Sequence, residues 1–246
     1  FHNYTAATFA PTRAICKELR GQGIRHTRVL SRGVDCELYN PAMRCEQLRA
    51  SWLSNATAPV VLYVGRIAQE KNMDCAIRGF YEIQRRQPDA RFVVVGDGPM
   101  RAELEQAHPE FIFTGFQRGA DLAKCYASAD VFLFPSMTET FGNVLTEAMA
   151  SGLACVAYDY AAAQEYATNG VHALLADKGD EGGFIAAANW LANDTRLIEQ
   201  LGAAARELAL QLSWAAVVRA YLADTSAILQ DAHFAVNAPL HTLEMI

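Results

Sequence analysis

The sequence lacks several features that would assign it to common functional classes. Its six cysteines are scattered without any C-x-x-C spacing, which favours reduced and mostly buried thiols over a disulfide or metal role. No apolar run approaches the roughly 20 residues that a membrane-spanning helix needs. There is no long basic run, and the net charge of −6 argues against a nucleic-acid-binding protein.

Motifs for metals and dinucleotides are also missing or incomplete. The six histidines show no metal-ligand spacing. Residues 96–99 read Gly-Asp-Gly-Pro after a strand-like run, but the residues that follow do not complete G-x-G-x-x-G. We therefore favour a tight turn into a helix at this point, and an NAD(P)-binding oxidoreductase domain is the weaker alternative.

The chain does contain a regular alternation of strand-like and helical segments. With 52% hydrophobic and 20% charged residues, its composition is ordinary for an α/β protein. Short apolar runs typical of buried strands occur at 60–64, 91–95, 111–114, 131–135 and 154–158. Helical patterns separate them, and Asn72 is predicted to cap the helix that ends near Arg86. The alternation predicts an α/β fold with a parallel sheet flanked by helices.

The most informative segment spans residues 136–152 and follows one of these apolar runs. Glu139 is predicted in the loop after the strand, and Glu147 more than one turn into a helix over 143–150. The free N–H groups at the helix start form an anion site between the two acids. This arrangement suits a ligand with polyol groups on both sides of a phosphate, such as a nucleotide sugar. Acids that merely complement the helix dipole would fit the segment less well.

A pair of cations follows the first regular strand. Arg66 and Lys71 come after Gly65, and ligands of open α/β sheets bind at the carboxyl ends of strands. Arginine would supply a rigid fork and lysine a point charge for a diphosphate. Solvated loop charges, with Lys71 paired to Glu70, are an equally good interpretation from position alone.

Four motifs in a fixed order carry a resemblance to a known family. They are Val64-Gly65-Arg66 with Glu70-Lys71-Asn72, then Val95-Gly96-Asp97-Gly98-Pro99, then Tyr126-Ala127-Ser128-Ala129-Asp130, and finally the segment from Glu139 to Glu147. Over about residues 5–225 the sequence resembles the retaining glycosyltransferase family 4 proteins of GT-B fold. Through residues 32–35 and 157–163 it is most similar to bacterial α-mannosyltransferase-like members. The resemblance implies a Rossmann-like donor domain preceded by a mostly acceptor-binding one.

The resemblance also implies a division of the chain. The expected parts are 1–45, a remnant of the acceptor-binding domain; 46–57, a linker; 58–212, the nucleotide-sugar-binding domain; 213–230, a crossover helix; and 231–246, a loosely ordered tail. Because the chain begins with Phe1 in the middle of a pattern, we expect a fragment that is incomplete for turnover. A non-catalytic nucleotide-sugar-binding module is the alternative for the chain alone.

Roles follow from the resemblance residue by residue. Arg66, Lys71 and Glu139 would be catalytic, the cations on the donor diphosphate and Glu139 on the sugar hydroxyls. Glu147 would bind the ribose hydroxyls. The implied donor-binding residues are Gly65, Gly96, Phe116, Gln117, Phe141, Gly142, Asn143, Val144 and Glu147. Among them Phe116 and Gln117 would border the base.

The function implied is transfer of a hexose, with mannose favoured by the subfamily, from a GDP-sugar or UDP-sugar to a lipid or polysaccharide. The resemblance implies no metal or other cofactor, in keeping with the lack of an Asp-x-Asp motif, which residues 130–132 do not supply. It also implies a cytoplasmic protein with peripheral contact at the inner face of the cell membrane. We expect no nucleic-acid partner. The arginines at 78, 85, 86 and 91 are more typical of a solvated helix face than of a lipid-binding patch.

Overall fold

The computed structural model describes residues 1–55 and 57–237, with side chains described through residue 230. The chain divides into two compact units. One contains residues 1–33 together with the chain from Trp214 onward, and the other is Val34–Ser213. The larger unit begins at Val34, and the assignment of residues 1–45 to an acceptor-binding domain stays a prediction.

The smaller unit begins with a strand–helix–strand segment. Strands β1 (Thr8–Ala10) and β2 (Thr27–Val29) pair in parallel, and helix α1 (Arg13–Gly21) lies between them in the chain. The hydroxyl of Thr12 accepts a hydrogen bond from the Ile15 N–H at 3.2 Å and so caps α1. A threonine at this position satisfies one of the free donors of the first turn.

The larger unit is built on one parallel sheet. Its strands are β3 (Val60–Val64), β4 (Arg91–Val95), β5 (Ile112–Gly115), β6 (Val131–Phe134), β7 (Ala154–Tyr158) and β8 (Leu174–Ala176). Their spatial order is β5-β4-β3-β6-β7-β8, and every neighbouring pair is parallel. The strand order reverses between β3 and β6, and in open α/β sheets a ligand crevice forms at such a point beyond the carboxyl ends of the strands.

Helices cover both faces of this sheet. They are α2 (Glu46–Trp52), α3 (Met73–Arg86), α4 (Arg101–Ala107), α5 (Gly119–Ala127), α6 (Asn143–Ala150), α7 (Ala162–Tyr166), α8 (Glu181–Asn193) and α9 (Thr195–Gln211). Helices α3 and α8 pack together, as do α6 and α9. Val61 and Tyr63 of β3 belong to one buried cluster, and Leu62 and Val64 to the other. This alternation follows from the two-residue period of a strand.

The start of α3 differs from the sequence expectation. The Asn72 side chain makes no capping hydrogen bond, and its backbone is left-handed with φ +54°. Its amide instead donates to the Tyr158 hydroxyl at 3.4 Å and to Glu181 at 3.3 Å. Asn72 thus occupies the predicted N-cap position of α3, which ends at Arg86 as predicted, but contacts with distant residues hold its side chain away from the helix. Asparagine is among the few residue types that tolerate the left-handed conformation.

The last helix of the described chain is longer than expected. Helix α10 (Trp214–Asn237) belongs to the smaller unit and includes residues 231–237, which the sequence assigned to a loosely ordered tail. The rest of that predicted tail, residues 238–246, lies outside the described residues. In the part of the chain that the structure describes, no helix is both long enough and apolar enough to cross a bilayer.

Candidate functional site

A cavity of about 630 Å³ opens where the strand order of the sheet reverses. Loops after β3, β4 and β5 and the first turns of α6 form its walls. The predicted site residues that line it are Gly65, Arg66, Gly96, Phe116, Gln117, Asn143, Val144 and Glu147. We call it the switch-point cavity. Its volume lies within the range of about 300–1,000 Å³ that small-molecule sites occupy.

Two loops approach so closely at the floor of this cavity that only glycine fits. A Cβ atom on Gly96 would lie 1.9 Å from the carbonyl oxygen of Gly65. A Cβ atom on Gly98 would lie 2.2 Å from the carbonyl oxygen of Ile67. The Gly-Asp-Gly-Pro segment is thus a tight turn between β4 and α4, which confirms the favoured interpretation. Its glycines are needed for contact with the β3 loop.

The start of α6 supplies free backbone donors. Gly142, with φ +92°, precedes the helix, and no side chain caps it. Within the described chain, no acceptor takes the N–H groups of Asn143 or Val144. Both residues line the switch-point cavity. The geometry needed for the predicted anion site is therefore present.

Glu147 lies on α6 at the wall of the cavity and is held by two tyrosines. The Tyr126 hydroxyl donates to its carboxylate at 3.0 Å, and the Tyr39 phenol lies close enough to lower the pKa of that carboxyl. Burial raises the pKa of the Glu147 carboxyl, and the two phenols partly offset that rise. The sequence placed Tyr126 only within a motif and did not single out Tyr39, because nothing local links either residue to Glu147.

Lys71 and Glu139 form an ion pair with each other. The Lys71 ammonium lies 2.6 Å from the Glu139 carboxylate and also donates to the Thr138 carbonyl at 3.0 Å and the Ser136 hydroxyl at 3.3 Å. Only 18% and 16% of the two charged side chains are exposed. Neither lines the switch-point cavity. The pair joins the segment after β3 to the segment after β6.

Arg66 takes a different partner and position. Its guanidinium pairs with Glu70 at 3.3 Å, is largely exposed, and lines the switch-point cavity. The Tyr63 hydroxyl donates to the Arg66 carbonyl at 3.0 Å and so anchors the loop. The alternative in which Lys71 pairs with Glu70 is wrong, since Glu70 pairs with Arg66 and Lys71 reaches across to Glu139.

The segment between Glu139 and α6 is held mostly by buried contacts. Phe141 is buried with its ring 6.1 Å from that of Tyr166. Neither Phe141 nor Gly142 lines the cavity, although Gly142 directly precedes Asn143, which does. Tyr160, which the sequence did not predict, bonds through its hydroxyl to the backbone N–H and carbonyl of Glu139. It thereby fixes the backbone that carries the Glu139 carboxylate.

Thiols and carboxylates contribute no clustered metal ligands in the described part of the chain. All six cysteines are free thiols, and four of them are buried. Among the side chains that the structure describes, those of residues 1–55 and 57–230, no three His, Cys, Asp or Glu side chains converge as metal ligands would. The metal-free reaction stays a prediction.

Solved structures share the fold. The crystal structure of Anabaena Alr3699/HepE in complex with UDP matches with a TM-score of 0.79 at 23% identity, covering 92% of this chain and 65% of that chain. Sucrose-phosphate synthase from Thermosynechococcus elongatus matches with a TM-score of 0.75 at 24% identity, covering 96% and 60% respectively. The Rossmann-like parallel sheet is therefore of the GT-B type, and the predicted fold class is confirmed.

Sequence similarity identifies the family. Residues 58–194 match the model of the family described as glycosyl transferases group 1, and the chain belongs to that family. It is 36% identical over 206 residues to the GDP-mannose-dependent alpha-mannosyltransferase of Corynebacterium glutamicum, covering 82% of this chain and 48% of the relative. Sulfoquinovosyl transferase SQD2 of Arabidopsis thaliana is 34% identical over 225 residues, covering 87% and 43% respectively. The chain thus spans about half the length of these curated relatives. The predicted resemblance to glycosyltransferases is confirmed.

Proposed function

We propose that the chain is the donor-binding part of a retaining hexosyltransferase that uses GDP-mannose. The observation that carries the proposal is the start of α6, where free N–H groups line the cavity between an acid in the preceding loop and Glu147. The GDP-mannose-dependent relatives support the choice of donor. The acceptor is a lipid or growing polysaccharide at the cytoplasmic face of the membrane, and the reaction serves glycan biosynthesis.

Each part of the donor finds a matching group. The diphosphate lies against the N–H groups of Asn143 and Val144, where the helix dipole favours negative charge. Arg66 at the cavity wall adds a fork of donors to the phosphate oxygens. Glu147 accepts hydrogen bonds from the ribose hydroxyls, because its two phenol donors do not exhaust the acceptor capacity of a carboxylate.

The chemistry explains why Arg66 and the free N–H groups of α6 line the same cavity. Transfer breaks the bond between the anomeric carbon and the diphosphate oxygen, and the bond electrons leave with the nucleoside diphosphate. Arg66, Lys71 and the α6 N–H groups stabilise this growing negative charge, and no metal is required in the proposal. Glu139, fixed by Ser136 and Tyr160, binds hydroxyls of the hexose. The anomeric configuration is retained.

Nucleotide binding by the Glu147→Ala variant tests the proposed function. We expect the unmodified chain to bind GDP and GDP-mannose saturably in ligand-observed NMR and calorimetry, and to show no binding of NAD. Loss of the charged acceptor of the ribose hydroxyls should weaken GDP binding about tenfold or more. Glu103→Ala, which removes an exposed acid outside the cavity walls, is the matched control. Equal GDP affinity in both variants would contradict the ribose-binding role.

Glu147 also gives a pH dependence of stability. Because burial raises its pKa above 4.5, the folded chain binds this proton more tightly than the unfolded chain does. Its contribution to the free energy of unfolding is therefore fully present below pH 4.5 and is lost as the pH rises through the raised pKa. Glu147→Gln abolishes this titration. The free energy of unfolding, measured in urea, should be compared between the wild type and Glu147→Gln. The wild-type value minus the variant value should fall with rising pH and then level off. A difference that rises with pH would contradict the assignment.

A further inference from the structure

One wall of the switch-point cavity carries a stacked pair that the contacts proposed above leave unused. Phe116 and Arg118 lie between β5 and α5, and both line the cavity. The guanidinium carbon of Arg118 lies 4.7 Å from the centroid of the Phe116 ring, a cation–π contact. The ring is nevertheless 62% exposed. An aromatic face and a cation are thus presented together to whatever occupies this wall.

The hydrogen-bond donors of Arg118 are available. Stacking on Phe116 uses the face of the guanidinium and leaves the donors around its rim. Among the described residues, no carboxylate or carbonyl accepts a hydrogen bond from this side chain. The cavity's other arginine, Arg66, is paired with Glu70 at 3.3 Å. Gln117, between the stacked pair, donates its amide to the Thr114 carbonyl at 2.9 Å and is held on its own loop.

We propose that Arg118 reads the base of the donor and selects guanine, with Phe116 holding the base by stacking. This inference rests on the proposed function, which places the ribose at Glu147 and the diphosphate at the start of α6 and leaves the wall with Phe116 and Arg118 for the base. Guanine presents two acceptors, O6 and N7, on one edge, and the arginine fork matches them. Adenine places an amino donor beside N7, which the fork repels, and uracil offers a single acceptor, O4, on the corresponding edge.

The remaining walls favour a purine over a pyrimidine. Val64, Val95 and Leu122 line the same cavity and add apolar surface to it. Base stacking on an aromatic side chain is favourable for every base. A purine covers more of the exposed Phe116 ring, and the fork of Arg118 then separates guanine from adenine.

Calorimetry with four nucleoside diphosphates tests the proposal on the whole chain. IDP shares O6 and N7 with guanine but lacks the 2-amino group. We expect GDP and IDP to bind with similar affinity, and ADP and UDP about tenfold or more weakly. Arg118→Ala should lower the affinity for GDP to that for ADP. Arg118→Gln should reverse the preference, because a glutamine amide matches the amino group and N7 of adenine.

Arg86→Ala, which removes an exposed arginine of α3 outside the cavity walls, is the matched control and should keep the wild-type preference. Because Arg118 is exposed, its variants should keep the melting temperature of the wild type.

An unchanged ratio of GDP to ADP affinity in both Arg118 variants would overturn the inference while leaving the proposed function intact. IDP binding as weakly as ADP would also overturn it, since the 2-amino group would then be the feature recognised. If the unmodified chain bound none of the four nucleotides, the proposed function would fail and the inference with it.

Discussion

Replacing Lys71 with alanine is expected to lower turnover of the intact transferase by about a hundredfold, the usual cost of losing one charge-stabilising contact in a transition state. As the anomeric bond breaks, the departing diphosphate gains negative charge. The Lys71 ammonium is one of the groups proposed to stabilise it. The ground-state complex carries less of this charge, so donor affinity should change less than kcat does.

The ion pair with Glu139 adds a second consequence. Lys71 and Glu139 are 2.6 Å apart and mostly buried, so removing the ammonium leaves the carboxylate without its cation. Glu139 keeps the Ser136 hydroxyl at 2.7 Å but loses its strongest orienting contact. We therefore expect Lys71→Ala and Glu139→Ala to be non-additive in kcat, with the double variant little worse than Lys71→Ala alone.

Lys124→Ala is the matched control for this measurement. Lys124 lies on α5 with its side chain 42% exposed, pairs with Asp121 at 3.2 Å, and does not line the cavity. Release of GDP from GDP-mannose in the presence of acceptor gives turnover, and the melting temperature reports folding. Near-normal kcat in Lys71→Ala would refute the assignment, as would an equal loss in Lys124→Ala.

The parts of the fold that the sequence predicted are those with a local signal. Strands β3, β4, β6 and β7 are almost entirely buried, and burial on both faces of a parallel strand requires an unbroken apolar run. The segment that ends in α6 was also predictable, since Gly142 permits the left-handed turn that opens the helix. These features are encoded within a few neighbouring residues.

The contacts that the sequence did not predict join residues far apart in the chain. Lys71 pairs with Glu139 because β3 and β6 are neighbours in the sheet, although β4 and β5 lie between them in the sequence. Tyr39 and Tyr160 reach Glu147 and Glu139 in the same way. Asn72 was predicted from its local position to cap α3, yet its side chain is hydrogen-bonded to Tyr158 and Glu181, which are distant in the chain. Only the topology of the sheet brings these residues together.

Arg49 supplies the second large expected effect, this time on stability. Its guanidinium is 6% exposed and donates to Asp130 at 2.8 Å. It also donates to the carbonyls of Ser128 at 3.0 Å and Ala58 at 2.7 Å. Asp130 in turn accepts the Val60 N–H at 2.8 Å. Asp130, the last residue of the 126–130 motif, therefore holds together the amino ends of β3 and β6, a structural role.

Arg49→Ala should lower the free energy of unfolding by about 3–5 kcal/mol, because it leaves the Asp130 carboxylate without its buried cation and the carbonyls of Ser128 and Ala58 without their donor. Arg44→Ala is the matched comparison, since Arg44 lies 3.4 Å from the same carboxylate but is 36% exposed. An exposed pair of this kind contributes about 1 kcal/mol or less. Urea unfolding of both variants measures the difference. Equal losses would mean that proximity to Asp130, rather than burial of the pair, determines the loss in free energy of unfolding. A much larger loss for Arg49→Ala would support a structural role for Asp130 in the sheet rather than a role in donor binding.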